Sequence, residues 1–217
     1  MKKTLFALMC LILTTGAAMA QKTFTFGPKI GVDYTHFWGK ETTNGGMFNY
    51  QAGLFMEYRI NDKFSIAPEV VFAAQGSKFD VAFIDKDPEG PYAAQFGVYD
   101  RPGTFNMNYI NVPVMLKYYV TPSLSIDFGP QIGFNVYSKA TYGQDKYGLN
   151  KKESLSRKEM TKSVDFGLGL GLTYNITENV FVQARYTLGL TNAFENKEPW
   201  GAKEKNGNAQ IAIGFRF

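Results

Sequence analysis

Few residues in this sequence have the type and spacing that catalysis requires. His36 is the only histidine, and Asp33 precedes it by three positions. A hydrolytic site would need a positioned serine or acid beside the imidazole, and the sequence itself indicates no such partner. Gly167, Gly169 and Gly171 resemble a phosphate-binding loop, but they alternate inside a strand pattern that no helix follows. The sequence therefore predicts no catalytic residue and no cofactor.

The sequence also has few residues that could bind a metal or form a disulfide. Cys10 is the only cysteine, and it lies within an apolar N-terminal run. Without a cluster of histidines and cysteines the sequence predicts no metal site, and a single thiol predicts no disulfide within the chain. A balance of 23 basic against 19 acidic residues predicts no nucleic-acid partner.

Ion pairing is the chemistry for which suitable residues are abundant. Acids and bases stand in near balance at alternate positions of the polar strand faces, which predicts a paired internal network. Its predicted members are Lys29, Glu57, Glu69, Lys117, Asp127, Asp165 and Arg185, with Asp33, Arg59 and Arg216 on the same faces. The two later short turns predict that Lys117 faces Asp127 and that Arg185 faces Gly169. The small Gly169 would let the guanidinium lean toward Glu69 or Glu57.

The elements that must position these charges are β-strands. Apolar and polar residues alternate along eight segments, which is the period of a strand with two different faces. The predicted strands span residues 23–35, 49–60, 64–77, 108–120, 124–136, 163–174, 180–191 and 208–217.

The connections decide between a soluble sandwich and a membrane barrel. Three are short, at residues 61–63, 121–123 and 175–179, and four are long, at 36–48, 78–107, 137–162 and 192–207. Short turns on one rim and long loops on the other are typical of outer-membrane barrels. An even number of strands also closes the sheet, as a bilayer requires. We predict an all-β, eight-stranded antiparallel up-and-down transmembrane barrel, with periplasmic turns and extracellular loops.

The N-terminus predicts export. Two lysines precede an apolar run from Leu5 to Leu13, and Ala18-Met19-Ala20 follows with small residues at the cleavage positions. That pattern predicts a signal peptide over residues 1–20 and a mature barrel domain over 21–217. The run is too short to cross a bilayer as a helix, which needs about 20 apolar residues.

Aromatic residues predict where the bilayer boundary and an assembly signal lie. Tyr58, Tyr118 and Tyr174 each stand just before a short turn on the apolar face, and they predict a periplasmic-rim girdle. The terminal Phe217 resembles the signal by which the outer-membrane insertion machinery recognises its clients.

Two long connections carry further hypotheses. The third is rich in lysine and arginine, which predicts either a solvated loop or a contact with lipopolysaccharide phosphates or an acidic partner. The second contains Phe79, Phe83, Tyr92, Phe96, Tyr99 and Phe105. These aromatics predict that its strands extend as a hairpin or that the loop folds over the barrel mouth, and a partner-binding surface is the sharper alternative.

Several segments resemble the PorT-like outer-membrane β-barrel family. They are Phe26–Val32, Tyr109–Tyr118, Gly129–Gly133, Arg185–Asn192 and Gly214–Phe217. The resemblance covers the mature chain and implies an outer-membrane barrel without catalytic residues. It also implies secretion-system proteins as candidate partners.

Three functions remain open from the sequence. The leading hypothesis is a structural or interaction barrel that contacts outer-membrane lipid and presents its loops outside the cell. The second is an accessory role in secretion or envelope assembly, by family analogy. The third is a narrow solute pore, although eight strands leave an interior about filled by side chains.

Overall fold

The computed structural model describes residues 24–39, 45–84, 98–142, 154–156, 161–194 and 204–217. The proposed signal peptide, and Tyr92 and Phe96 of the second long connection, lie outside these ranges. Within them, no helix has the length and apolar character needed to span a bilayer.

The described chain forms one antiparallel sheet that closes on itself. Its strands are β1 (Phe24–Gly39), β2 (Gly45–Arg59), β3 (Phe64–Ile84), β4 (Val98–Thr121), β5 (Leu124–Tyr142), β6 (Ser154–Ser156), β7 (Val164–Asn175), β8 (Val180–Gly189) and β9 (Glu204–Phe215). Sequence neighbours pair around the ring, β9 pairs with β1, and β4 with β5 completes the closure. The three-residue β6 only extends the outer part of β5. The predicted eight-stranded up-and-down barrel is confirmed.

Several predicted strand ends were wrong on the side of the long connections. β1 continues to Gly39 because Trp38 still pairs with Lys205, so His36 lies in a strand and not in a loop. β3 and β4 continue to the pair Ile84 and Val98, which makes the second connection an extended hairpin, one of the two predicted alternatives. β8 instead ends at Gly189, two residues early.

Alternation places the polar face inside the barrel and the apolar face outside. Lys29 and Asp33 are buried in β1, whereas Ile30 and Val32 between them are about three-fifths exposed. The same contrast recurs around the ring, for example at Leu170 and Ile211. A large apolar outer wall around a polar interior is the reverse of a soluble protein.

The three short turns share one local device. The side-chain oxygens of Asn61, Thr121 and Thr177 each accept hydrogen bonds from the backbone N–H groups two and three residues further on. Such side-chain turns stabilise a reversal without a long loop. Thr177 of the Asn175-Ile176-Thr177 sequence therefore stabilises the last of these turns.

The same turns set registers that differ in part from prediction. Lys117 faces Asp127 as predicted, and Thr121 faces Leu124 after an irregularity between Tyr119 and Thr121. At the next turn Tyr174 faces Val182, a register two residues away from the one that pairs Arg185 with Gly169. The chain reverses later there because Ile176 N–H donates to the carbonyl of Val180 at 2.9 Å.

Candidate functional site: the filled lumen

A three-residue ion cluster occupies the middle of the lumen. Glu69 accepts two hydrogen bonds from Arg185, at 2.7 and 3.0 Å, and one from Lys29 Nζ at 2.6 Å. Lys29 Nζ also donates to Gln183 Oε1 at 3.0 Å. At most 3% of each charged side chain is exposed. The sequence predicted all three charged residues as network members but not Gln183. Only the position of Gln183 on the polar face of its strand could have indicated its role.

Glycines make room for this cluster. Arg185 faces Gly171 and not Gly169, which corrects the predicted pair. The Arg185 side chain nevertheless passes over Gly169 toward Glu69. Gly169 leaves room for it, since a Cβ at that position would lie only 3.4 Å from Arg185 Cδ. A side chain at either glycine would therefore compete with Arg185 for space.

A second ion cluster lies nearer the short turns. Lys117 Nζ is 3.3 Å from Glu57 Oε2 but 4.0 Å from Asp127 Oδ2, so the closer acid is not the one opposite it in register. Arg216 approaches the same Glu57 at 3.5 Å. Tyr119 donates a hydrogen bond to Glu57, and Ser65 donates another at 2.8 Å.

The nearest partners of Asp127 and Arg59 are uncharged. Asp127 accepts hydrogen bonds from neutral side chains, and Arg59 contacts an aromatic ring. Asp127 accepts hydrogen bonds from Ser125 at 2.7 Å and from Thr173, and Gln183 donates to it at 3.3 Å. Gln183 thereby links the two ion clusters. Arg59 lies at the rim, where its guanidinium carbon is 4.1 Å from the centre of the Tyr119 ring.

Asp165 lies apart from both clusters, on the side of the long connections. It accepts hydrogen bonds from Thr191 and, at 2.6 Å, from Asn206. No base lies within 4 Å of Asp165 or of Asp33 among the described residues. The prediction that Asp165 belongs to the charge network was wrong in this respect, because the buried bases that the structure describes pair with Glu57, Glu69 and Asp127 instead.

A layer of phenylalanines lies inside the barrel on the side of the long connections. The rings of Phe37, Phe105 and Phe194 pack edge to face or nearly so, with centroids 5.1 to 6.3 Å apart. Met107 and Ala193 are buried beside them. Sequence reasoning missed this layer, because it assigned Phe37 and Phe194 to loops. If the alternation of β1 is continued past residue 35, Phe37 falls on the inward face, and this pattern could have predicted the layer.

The predicted girdle tyrosines all point outward. Tyr58, Tyr118 and Tyr174 are 40 to 51% exposed. Each lies within a few residues of a short turn, and the Tyr118 ring is 5.3 Å from that of Phe64. They therefore share one rim of the apolar wall.

The C-terminus completes the seam between β9 and β1. Phe217 N–H donates to the carbonyl of Phe26 at 2.9 Å. The Phe217 ring lies 5.8 Å from that of Phe26 and 5.1 Å from that of Phe215. Arg216 between them points into the lumen, so the last residues alternate across the wall.

His36 lies on the outer surface of β1 rather than beside Asp33. Its Nε2 is 3.4 Å from the hydroxyl of Tyr186, while Asp33 faces the lumen. Across the part of the chain that the structure describes, no three His, Cys, Asp or Glu side chains converge as metal ligands.

Comparison with known proteins identifies the class. Residues 19–195 match the family described as outer membrane protein beta-barrel domain, and the chain belongs to that family. It is a small eight-stranded β-barrel of the outer membrane. No curated protein matches it.

Three bacterial proteins of known structure have a similar outline. Ail, the attachment invasion locus protein of Yersinia pestis, is 16% identical, with a TM-score of 0.47 over 90% of this chain and 99% of that one. Neisserial surface protein A is 12% identical, with a TM-score of 0.49 over 89% and 97%. OprG from Pseudomonas aeruginosa is 12% identical, with a TM-score of 0.41 over 91% and 97%.

Proposed function

We propose that this protein is a non-conducting, non-enzymatic barrel with a structural or interaction role in the outer membrane. The observation that carries the proposal is the filled lumen. The Lys29–Glu69–Arg185 cluster blocks its middle, and the layer of Phe37, Phe105 and Phe194 blocks its mouth.

Energetics supports a closed interior. A water-filled pore would leave its lining charges solvated, with no need for each acid to meet a base. Here Glu69 is shared between two buried bases, an arrangement that offsets the cost of removing the charges from water. An apolar layer at the mouth adds a barrier to ions, because apolar constrictions exclude water.

The two rims suit different contacts. The half-exposed tyrosines Tyr58, Tyr118 and Tyr174 are suited to the headgroup boundary on the periplasmic side. Phe217, outward and terminal, is the residue through which the insertion machinery would recognise the chain. On the opposite rim β3 and β4 are the longest strands that the structure describes, and their hairpin would present the surface for partners or lipopolysaccharide. Most of the basic third connection lies outside the described residues.

Planar-bilayer conductance tests the closed lumen. The unmodified protein should give no steady current. Replacing the layer with Phe37→Ser, Phe105→Ser and Phe194→Ser should leave conductance low, because the ion cluster still blocks the middle. Adding Glu69→Ala and Arg185→Ala should then open a path. Phe128→Ser, on the outer wall, is the matched control. A large steady current in the unmodified protein would refute the proposal in favour of a narrow pore.

An accessory role in secretion or envelope assembly is the second candidate. The resemblance to PorT-like proteins and the long β3–β4 hairpin favour it. A photocrosslinking residue at exposed Lys78, near the base of the hairpin, should capture secretion-system proteins in intact cells, and the same residue at Asp62 in a short turn should not. Capture of nothing from either position, with the protein present at normal levels, would remove this candidate.

A further inference from the structure

A broad groove lies in the outer wall of the barrel and runs from β2 to β5 by way of β1, β9, β8 and β7. Its volume is about 660 Å³, which is within the range of small-molecule sites. Outward side chains line most of it, among them Tyr34, Phe48, Leu170, Tyr186 and Ile211. The groove is therefore apolar and opens toward the bilayer.

The register of the strands explains why the wall is hollow here. Ala209 on β9 lies between Tyr34 on β1 and Tyr186 on β8. One row nearer the short turns, Ala184 on β8 faces Ile211 on β9. Side chains that face each other on a sheet are close neighbours, so a methyl group between larger side chains leaves a depression. If the depression stayed empty, its lining would forfeit dispersion contacts, so a chain that fills it is favoured.

The end of the groove toward the long connections is polar. His36 Nε2 lies 3.4 Å from the Tyr186 hydroxyl, and the two side chains meet over Gly207, where a Cβ would stand 2.6 Å from His36 Nε2. Two residues further along β9, Lys205 Nζ is 4.9 Å from the centre of the Trp38 ring. The Trp38 indole N–H donates to a carbonyl of β9 at 3.2 Å, which holds the ring against that strand.

Lys205 brings a positive charge to this end of the groove. Its side chain is partly exposed, and no carboxylate lies within 4 Å of its Nζ in the part of the chain that the structure describes. Tryptophan and tyrosine at the edge of an apolar wall are typical of the headgroup boundary. A base at that boundary attracts anionic lipid headgroups. The groove thus combines a seat for an acyl chain with a charge for a phosphate.

Position and shape favour one class of lipid. The protein lies in the outer membrane, and its long connections face the exterior, where lipopolysaccharide forms the outer leaflet. The lipid A anchor of lipopolysaccharide joins phosphates to several acyl chains, which suits a groove that crosses several strands. A second copy of this barrel would bring another apolar wall to the groove and would leave Lys205 without an anion.

We propose that this groove binds one lipid A anchor, with an acyl chain over Ala184 and Ala209 and a phosphate at Lys205. Trp38 and Tyr186 then lie at the boundary between the chains and the headgroup. This site is on the outer wall, so the inference goes beyond the proposed function and does not depend on whether the lumen is closed.

Native mass spectrometry of the mature chain, refolded into micelles of a non-ionic detergent, counts bound lipids and measures their affinity. Lipid A should bind at one molecule per chain, and phosphatidylcholine and phosphatidylglycerol should bind more weakly. Lys205→Gln should weaken lipid A binding about fivefold, which is the effect of one basic side chain at an anionic lipid surface. The same variant should not weaken the binding of lipid A whose phosphates have been removed.

Variants with matched controls separate the groove from the rest of the wall. Ala209→Leu fills the depression and should reduce lipid A binding to the level of phosphatidylcholine. Ala52→Leu makes the same change on the exposed face of β2, outside the groove, and should leave binding unchanged. Lys63→Gln, in an exposed short turn, is the control for the loss of charge. If Ala209→Leu does not fold, Ala184→Leu takes its place, since it fills the same groove.

Four results would overturn the proposal. Equal binding of lipid A and phosphatidylcholine would mean that the wall does not select a lipid. Equal binding of lipid A and phosphatidylglycerol would assign the groove to anionic phospholipids. A species with the mass of two chains, lost in Ala209→Leu, would assign it to a second copy of the barrel. Unchanged lipid A binding in Ala209→Leu or in Lys205→Gln would place the lipid elsewhere.

Discussion

Glu69→Gln should be the most damaging single change in the lumen. The substitution keeps the shape of the side chain but leaves Lys29 and Arg185 buried with no acid within ion-pair distance among the described residues. Breaking a buried ion pair by removing one partner costs about 3–5 kcal/mol. Because two cations are orphaned at once, we expect the upper end of that range.

Lys29→Met should cost less, because the two-point contact between Glu69 and Arg185 survives. The loss of one hydrogen bond to a charged group is worth about 1.5–3 kcal/mol. The combined variant Lys29→Met, Glu69→Leu and Arg185→Met removes every charge together. It should recover most of the stability, since apolar replacement of a whole buried ion cluster is often neutral.

Urea unfolding in lipid vesicles, followed by circular dichroism, measures these differences. Glu178→Gln, the same acid-to-amide change in an exposed turn, is the matched control and should shift the unfolding free energy little. If Glu69→Gln costs no more than Glu178→Gln, water reaches the cluster and the desolvation argument fails. If Glu69→Gln and Lys29→Met cost the same, Glu69 is not the shared partner.

Three further changes probe the wall, the network and the seam. Leu170→Arg should cost about 2–4 kcal/mol in vesicles, since the side chain is 59% exposed on the lipid face; a harmless Leu170→Arg would mean that this strand is not in lipid. In double-mutant cycles scored by urea unfolding, Lys117→Met should couple more strongly to Glu57→Gln than to Asp127→Asn, because the distances are 3.3 and 4.0 Å. Equal coupling energies would contradict that order. Deleting Phe217 should lower the amount of protein in fractionated outer membranes and leave precursor in the periplasm, and unchanged levels at modest expression would argue against an assembly signal.

The sequence by itself determined the strands and their faces. A period of two is a local property of each segment, so it could be read without knowing which strands are neighbours. It correctly placed Lys29, Glu57 and Glu69 inside and Leu170 outside. The alternation of short and long connections then determined a closed up-and-down barrel, because it separates the two rims.

Register was only partly contained in the sequence. The turn after β4 correctly predicted that Lys117 faces Asp127. The register predicted from the turn after β7 was wrong by two residues, since Arg185 faces Gly171 and not Gly169. The hydroxyl of Thr177 and the Ile176 N–H fix where that chain reverses, and a shift of two residues preserves every face. Alternation therefore could not detect the error.

Only the tertiary structure decided which side chains meet across the lumen. Arg185 and Glu69 are 116 positions apart and lie on strands that are not neighbours. Their contact depends on how the closed sheet is sheared, a property of all eight strands together. For the same reason the sequence could not show that Asp165 has no base within 4 Å among the described residues, or that Phe37 and Phe194 share one layer.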